Sequence, residues 1–160
     1  MKYNYSYSII LYPKLRLDIP KTIAKIKSIL YDPNGWTKFG YRFIEVNEHP
    51  NFIITIAPNR IIKKICNFTG LSCADSTNPK RKIIYLNLEK WVNGSKKSKL
   101  SLDMYRNYLL FHEIGHILGK GHLKSKDFDP GTICPIMVQM TLGIGNLLPN
   151  CFPTEFDNLI

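Results

Sequence analysis

Apolar positions recur along this chain with two periods, and those periods lay out its elements. Tyrosine and isoleucine dominate from Tyr3 to Tyr12, and Pro13 follows, which predicts a first strand. Ile23, Ile26, Ile29 and Leu30 then return at helical spacing while Lys21, Lys25 and Lys27 take the other side. Ile19-Pro20 suits the first turn of that helix, and Asp32-Pro33-Asn34-Gly35 ends it. Trp36 is expected to pack against it. A second strand is predicted over Phe39 to Val46, with Tyr41 and Phe43 on one face. Phe52 to Ala57 is the clearest strand, a nearly unbroken apolar run that belongs inside a sheet with both faces covered. Residues 60–82 read as a polar loop with room for a short edge strand. Ile83 to Leu88 predicts a further strand, closed off by Trp91 and Gly94.

The last long element is a helix. Ser101 can cap it, and Asp103 is favourable in its first turn. Tyr105, Leu109, His112 and His116 share one face, and Leu110, Ile114, Ile117 and Leu118 make a second apolar one. A helix apolar on two sides is a buried helix. Gly115 within it costs roughly 1 kcal/mol against alanine, which implies a close neighbour. After His122 no period survives, and glycines and prolines from Pro130 to Pro153 predict a loop-built lobe. The expectation is an α+β chain of 160 residues in one domain, 1–122 as the sheet and helices and 123–160 as the lobe.

The chemistry sits at the end of the long helix. Residues 112–122 read His-Glu-x-x-His-x-x-Gly-x-x-His with every fixed position filled. His112 and His116, one helical turn apart, can grip one Zn²⁺. Glu113 beside them is placed to act as a general base on water rather than to ligate. A continuing helix would carry His122 roughly 240° away from His116, so the helix must stop first. Gly119 can stop it, because glycine enters the left-handed conformation without a Cβ clash. Gly121 is a second soft joint. His122 then returns as the third ligand and leaves a fourth position open, which is the pattern of a catalytic rather than a structural zinc.

This motif resembles the metzincin clan of zinc metallopeptidases. In that clan a methionine turn lies beneath the metal. Met137, in Cys134-Pro135-Ile136-Met137-Val138-Gln139, is the candidate, and Met140 is the rival. A narrower resemblance covers most of the chain from about Asp32 onward, to a family of small exported bacterial metzincin-like proteins of unknown function. It is carried by Asp32-Pro33-Asn34-Gly35-Trp36, the Cys66 to Cys73 loop, Leu86-Asn87-Leu88 with Trp91 and Gly94, Tyr105 through His122, and Pro135-Ile136-Met137 with Gln139 and Thr141. It implies a metzincin-like zincin fold: a mixed, mostly parallel twisted sheet over two main helices, then a small irregular lobe. It also implies two local disulfides. Gln139 stands where some metzincins carry a tyrosine, so no tyrosine ligand is expected.

Four cysteines allow three pairings. Local pairing, Cys66 with Cys73 and Cys134 with Cys151, is expected because each pair brackets a turn-rich loop. Disulfides point to an oxidising compartment, whereas Ile9-Ile10-Leu11 is too short for a secretory leader, so the compartment stays open. Asn67-Phe68-Thr69 and Asn93-Gly94-Ser95 match the glycosylation acceptor pattern. Lys and Arg number 22 against 12 Asp and Glu, a net charge of +10. The basic residues are spread along the chain with no nucleic-acid module among them, so they read as solvated surface. No apolar run approaches the ~20 residues of a membrane span.

Together these features lead to the expectation of a monomeric zinc-dependent endopeptidase acting on a peptide or protein, with one catalytic Zn²⁺ and Glu113 as its base. One rival is a zinc hydrolase that cuts a non-protein amide such as a cell-wall crosslink. The other is a basic binding module with an inherited zinc site.

Overall fold

Strand pairing sets the frame that carries the long helix. In the computed structural model, which describes residues 3–66, 70–75, 78 and 80–160, five strands form one sheet. They are β1 (Asn4–Ile9), β2 (Arg42–Glu45), β3 (Phe52–Ala57), β4 (Cys73–Asp75) and β5 (Lys82–Asn87), in the order β2-β1-β3-β5-β4. The pairs β1–β2, β1–β3 and β3–β5 are parallel, and β4 lies antiparallel on β5 as an outer strand. The sheet is therefore mixed and mostly parallel. The Asn67 to Thr69 triplet lies outside the described residues.

Five α-helices complete the described chain: α1 (Ile19–Leu30), α2 (Asn59–Ile65), α3 (Leu88–Asn93), α4 (Leu102–Ile117) and α5 (Glu155–Leu159). The two long ones, α1 and α4, begin at side-chain caps. Asp18 accepts from the Lys21 N–H at 3.1 Å, and Ser101 accepts from the Met104 N–H at 3.3 Å. The three short helices go beyond the two expected. β5 also ends one residue early, because Asn87 accepts from the N–H groups of Glu89 and Lys90 and turns Leu88 into the start of α3. The second strand is shorter than predicted too. Trp36–Phe39 form a 3₁₀ turn, closed at Gly40 with φ +93°, and β2 starts only at Arg42.

All six residues of β3 are buried, as a central parallel strand requires. Phe52, Ile54 and Ile56 join Tyr7, Ile84 and Leu86 in one core with Ile26, Ile29 and Leu30 of α1 and the apolar face of α4. Ala57 packs on the other side of the sheet with Ile62 of α2 and Cys66. Trp36, expected on α1, is tied to α4: its indole N–H donates to the Phe111 carbonyl at 2.9 Å. No helix among the described residues is long and apolar enough to cross a membrane.

One of the two expected disulfides forms. Cys66 and Cys73 are bridged, which ties the end of α2 to β4. The Cys134–Cys151 bridge does not form: both are free and buried. Hydrogen bonds close the lobe in its place. The Asn150 amide donates to the carbonyls of Cys134 at 3.0 Å and Phe152 at 2.6 Å. Burial pushes the Cys134 thiol up to about 12 and raises Cys151 as well, so both stay protonated and unreactive. Thiol titration of unreduced protein in denaturant should therefore find two thiols per chain, both shielded before unfolding; a count of zero would restore the second bridge.

Candidate metal centre

The end of α4 makes the site, so the way this helix stops comes first. Leu118 caps it, and Gly119 takes φ +89°. The Gly119 N–H donates to the His116 carbonyl at 3.0 Å, and the Lys120 N–H donates back to the Gly115 carbonyl at 2.8 Å. This pair of bonds is a Schellman motif, whose left-handed position glycine adopts without strain. The chain then leaves sideways. The Leu123 N–H donates to the Met137 carbonyl at 3.0 Å, and Leu123 bridges Val138 in parallel. His122 is thereby held over the helix it has just left.

The three imidazoles converge. His112 is buried, His116 half-buried and His122 exposed, and one nitrogen from each lies within 4.8 Å of the other two. The His116 and His122 Nε2 atoms are 3.1 Å apart. A tetrahedral ion with Zn–N bonds of about 2.0–2.1 Å separates its ligands by roughly 3.3 Å, so this pair stands at ligand spacing. Two of the rings are oriented by backbone carbonyls. His112 Nδ1 lies 2.6 Å from the Ile136 oxygen, and His116 Nδ1 lies 2.8 Å from the Lys120 oxygen. A carbonyl can only accept, so each Nδ1 carries the proton and each Nε2 keeps its lone pair. Burial also pushes all three histidines below the ordinary value, His112 to about 3. They are neutral bases at neutral pH, the state a metal ligand needs. His112, His116 and His122 can together hold a metal ion.

Glu113 lies beside them, almost wholly buried, and its Oε2 has no hydrogen-bond partner among the described residues. Burial alone pushes this carboxyl up to about 8. A buried polar atom left unpaired is costly, and such exceptions concentrate where a group has chemical work. The carboxyl borders a cleft of about 430 Å³, shared with the three histidines and Gln139. Leu71, Ser72, Cys73 and Ala74 form its opposite wall, which the Cys66–Cys73 bridge holds in place. The fourth histidine, His49, does not line it.

Met137 is fully buried, with its side chain against Gly115 of α4. A Cβ on Gly115 would collide with its sulfur and come within 3.2 Å of Trp36. That close approach is the neighbour the glycine implied. Met140 is placed differently: its N–H donates to the Tyr108 hydroxyl at 2.9 Å. Tyr108 also donates to the Val138 carbonyl at 3.3 Å, and its ring lies 5.4 Å from that of His112. Sequence reasoning missed Tyr108, although its place one turn before His112 was legible. It also missed Asp157, whose signal was the Thr154-x-x-Asp157 capping box that opens α5.

A family model described as "Protein of unknown function (DUF3152)" matches residues 4–155. No curated protein matches the chain.

The three-histidine geometry makes a direct prediction. Protein purified without chelator should carry about one divalent ion per chain by elemental analysis. His122→Ala should fold as wild type, since His122 is exposed, and bind the ion at least ~100-fold more weakly. Wild-type affinity in that variant would remove His122 from the ligand set.

Proposed function

Given that the chain belongs to the DUF3152 family, whose function is unknown, we propose from the site itself that it is a zinc-dependent endopeptidase of metzincin type. The observation that carries this reading is the meeting of three neutral imidazoles with a buried carboxyl group, one oxygen of it unpaired, on one cleft. Three nitrogen donors suit zinc and leave room for a reacting group, whereas a structural zinc site is closed by four protein ligands. When bound, zinc supplies Lewis-acid polarisation of a carbonyl and eases deprotonation of water.

The chain's own residues do the rest. His112, His116 and His122 would hold the ion. Glu113 takes a proton from the attacking water and delivers it to the leaving amine nitrogen. Its burial favours this exchange, because desolvation raises its affinity for a proton and so its strength as a base toward water. An extended peptide would lie along β4, whose Cys73 and Ala74 face the cleft as an outer strand of the sheet. That extended wall favours a peptide backbone over other amides as substrate. Lys and Arg outnumber Asp and Glu by 22 to 12, but they are spread along the chain, so charge adds little to the choice.

Glu113→Gln tests the reading. Glutamine keeps the size and polarity but cannot accept the proton. The variant should retain its metal and its fold and lose at least ~100-fold in peptide cleavage, about 2.7 kcal/mol of barrier. Equal turnover by the two proteins at saturating zinc would end the assignment.

A further inference from the structure

Asp157 is fully buried on α5, and its carboxylate is shared between Thr154 and the turn that holds Ile136 and Met137. Oδ1 accepts from the Met137 N–H at 2.8 Å, and Oδ2 accepts from the Ile136 N–H at 3.0 Å. Oδ2 also accepts from the N–H and hydroxyl of Thr154, at 2.7 and 2.9 Å. The Met137 N–H and the Ile136 carbonyl belong to one planar peptide unit. Asp157 holds one end of that plane, and the other end accepts the His112 Nδ1–H at 2.6 Å. Metal-ligating histidines commonly donate their second N–H to a carboxylate, which orients the ring and makes it a stronger base. Here one peptide group is interposed between the carboxylate and the ring.

We infer that Asp157 is a positioning residue for the metal centre, acting on His112 through the Ile136–Met137 peptide. The carboxylate does two things. It fixes the plane of the peptide, and so the direction of the carbonyl that sets the His112 ring. It also polarises the peptide, because a charge-assisted bond at the N–H strengthens the carbonyl as an acceptor. Ser, Thr or Asn at this position could not receive two neighbouring turn amides and the Thr154 amide together. An anion with two oxygens can.

The inference rests on the metal-binding reading, and full-length protein can test the two separately. Zn²⁺ affinity would be measured by competition with a chromophoric chelator, and ligand geometry by the visible spectrum of the Co²⁺ form. Asp157→Asn turns one acceptor oxygen into a donor facing amide N–H groups. It should weaken Zn²⁺ binding about tenfold or more and shift the Co²⁺ bands. Thr154→Ala removes the hydroxyl cap of α5 but leaves the carboxylate on the turn. It should lower the melting temperature while keeping Zn²⁺ affinity within about twofold and the Co²⁺ spectrum unchanged. If Asp157→Asn does not fold, Asp157→Glu replaces it, since it keeps both oxygens but displaces them by one methylene; the same loss of affinity is expected. Wild-type affinity and spectrum in the folded Asp157 variant would overturn the inference. So would an equal loss in Thr154→Ala. Wild-type protein that binds no Zn²⁺ would instead overturn the metal reading itself.

Discussion

A straight α4 would carry His122 roughly 240° around its axis from His116, and the whole site depends on the turn that prevents this. Two backbone hydrogen bonds make the turn, from Gly119 to His116 and from Lys120 to Gly115. The positive φ of Gly119 permits both. The same turn serves His116 directly, since the Lys120 carbonyl it presents accepts the His116 Nδ1–H. Stopping the helix, returning the third imidazole and orienting the second are therefore one structural event.

The segment after Pro135 works from below in the same way. Its Ile136 carbonyl orients His112, its Met137 side chain fills the space left by Gly115, and its Met137 carbonyl anchors Leu123, the residue after His122. Tyr108 from α4 and Asp157 from α5 both hold that segment by hydrogen bonds. Against so many satisfied polar groups, the unpaired Glu113 oxygen is an exception. Folding bears a desolvation cost there, and that cost makes sense if the carboxyl is kept ready for a reacting group. The same comparison separates Glu113 from Asp157: one buried carboxyl group is saturated by the protein and holds structure, while the other keeps an unpaired oxygen on the cleft.

The three converging histidines were legible because helical geometry and the freedom of glycine act locally. From His112 to His122, spacing alone dictated both the shared face and the need for a break. β3 and α1 were legible for the same reason, through period and caps. The pieces that escaped depend on contacts distant in sequence. α2 and α3 are only seven and six residues long, too short for periodicity to separate them from loop. The edge strand β4 was allowed for within residues 60–82, but its place there is set only by pairing with β5. Asp157 lies 20 residues from Met137, and nothing in its own neighbourhood tells which turn it holds. The expected Cys134–Cys151 bridge failed because bracketing a loop says nothing about where two thiols come to rest; here Asn150 closes the same loop by hydrogen bonds.

The proposed activity is hydrolysis of peptide bonds in this cleft, with a metal ion held by His112, His116 and His122. Digestion of a proteome-derived peptide library tests it most directly. Wild-type protein with added Zn²⁺ would be compared with the same protein after chelation, and newly formed amino termini read by mass spectrometry. The expected result is new termini sharing a preference around the cut, lost on chelation and restored by Zn²⁺. A library left intact by fully metal-loaded protein, or cut equally well after chelation, would contradict it.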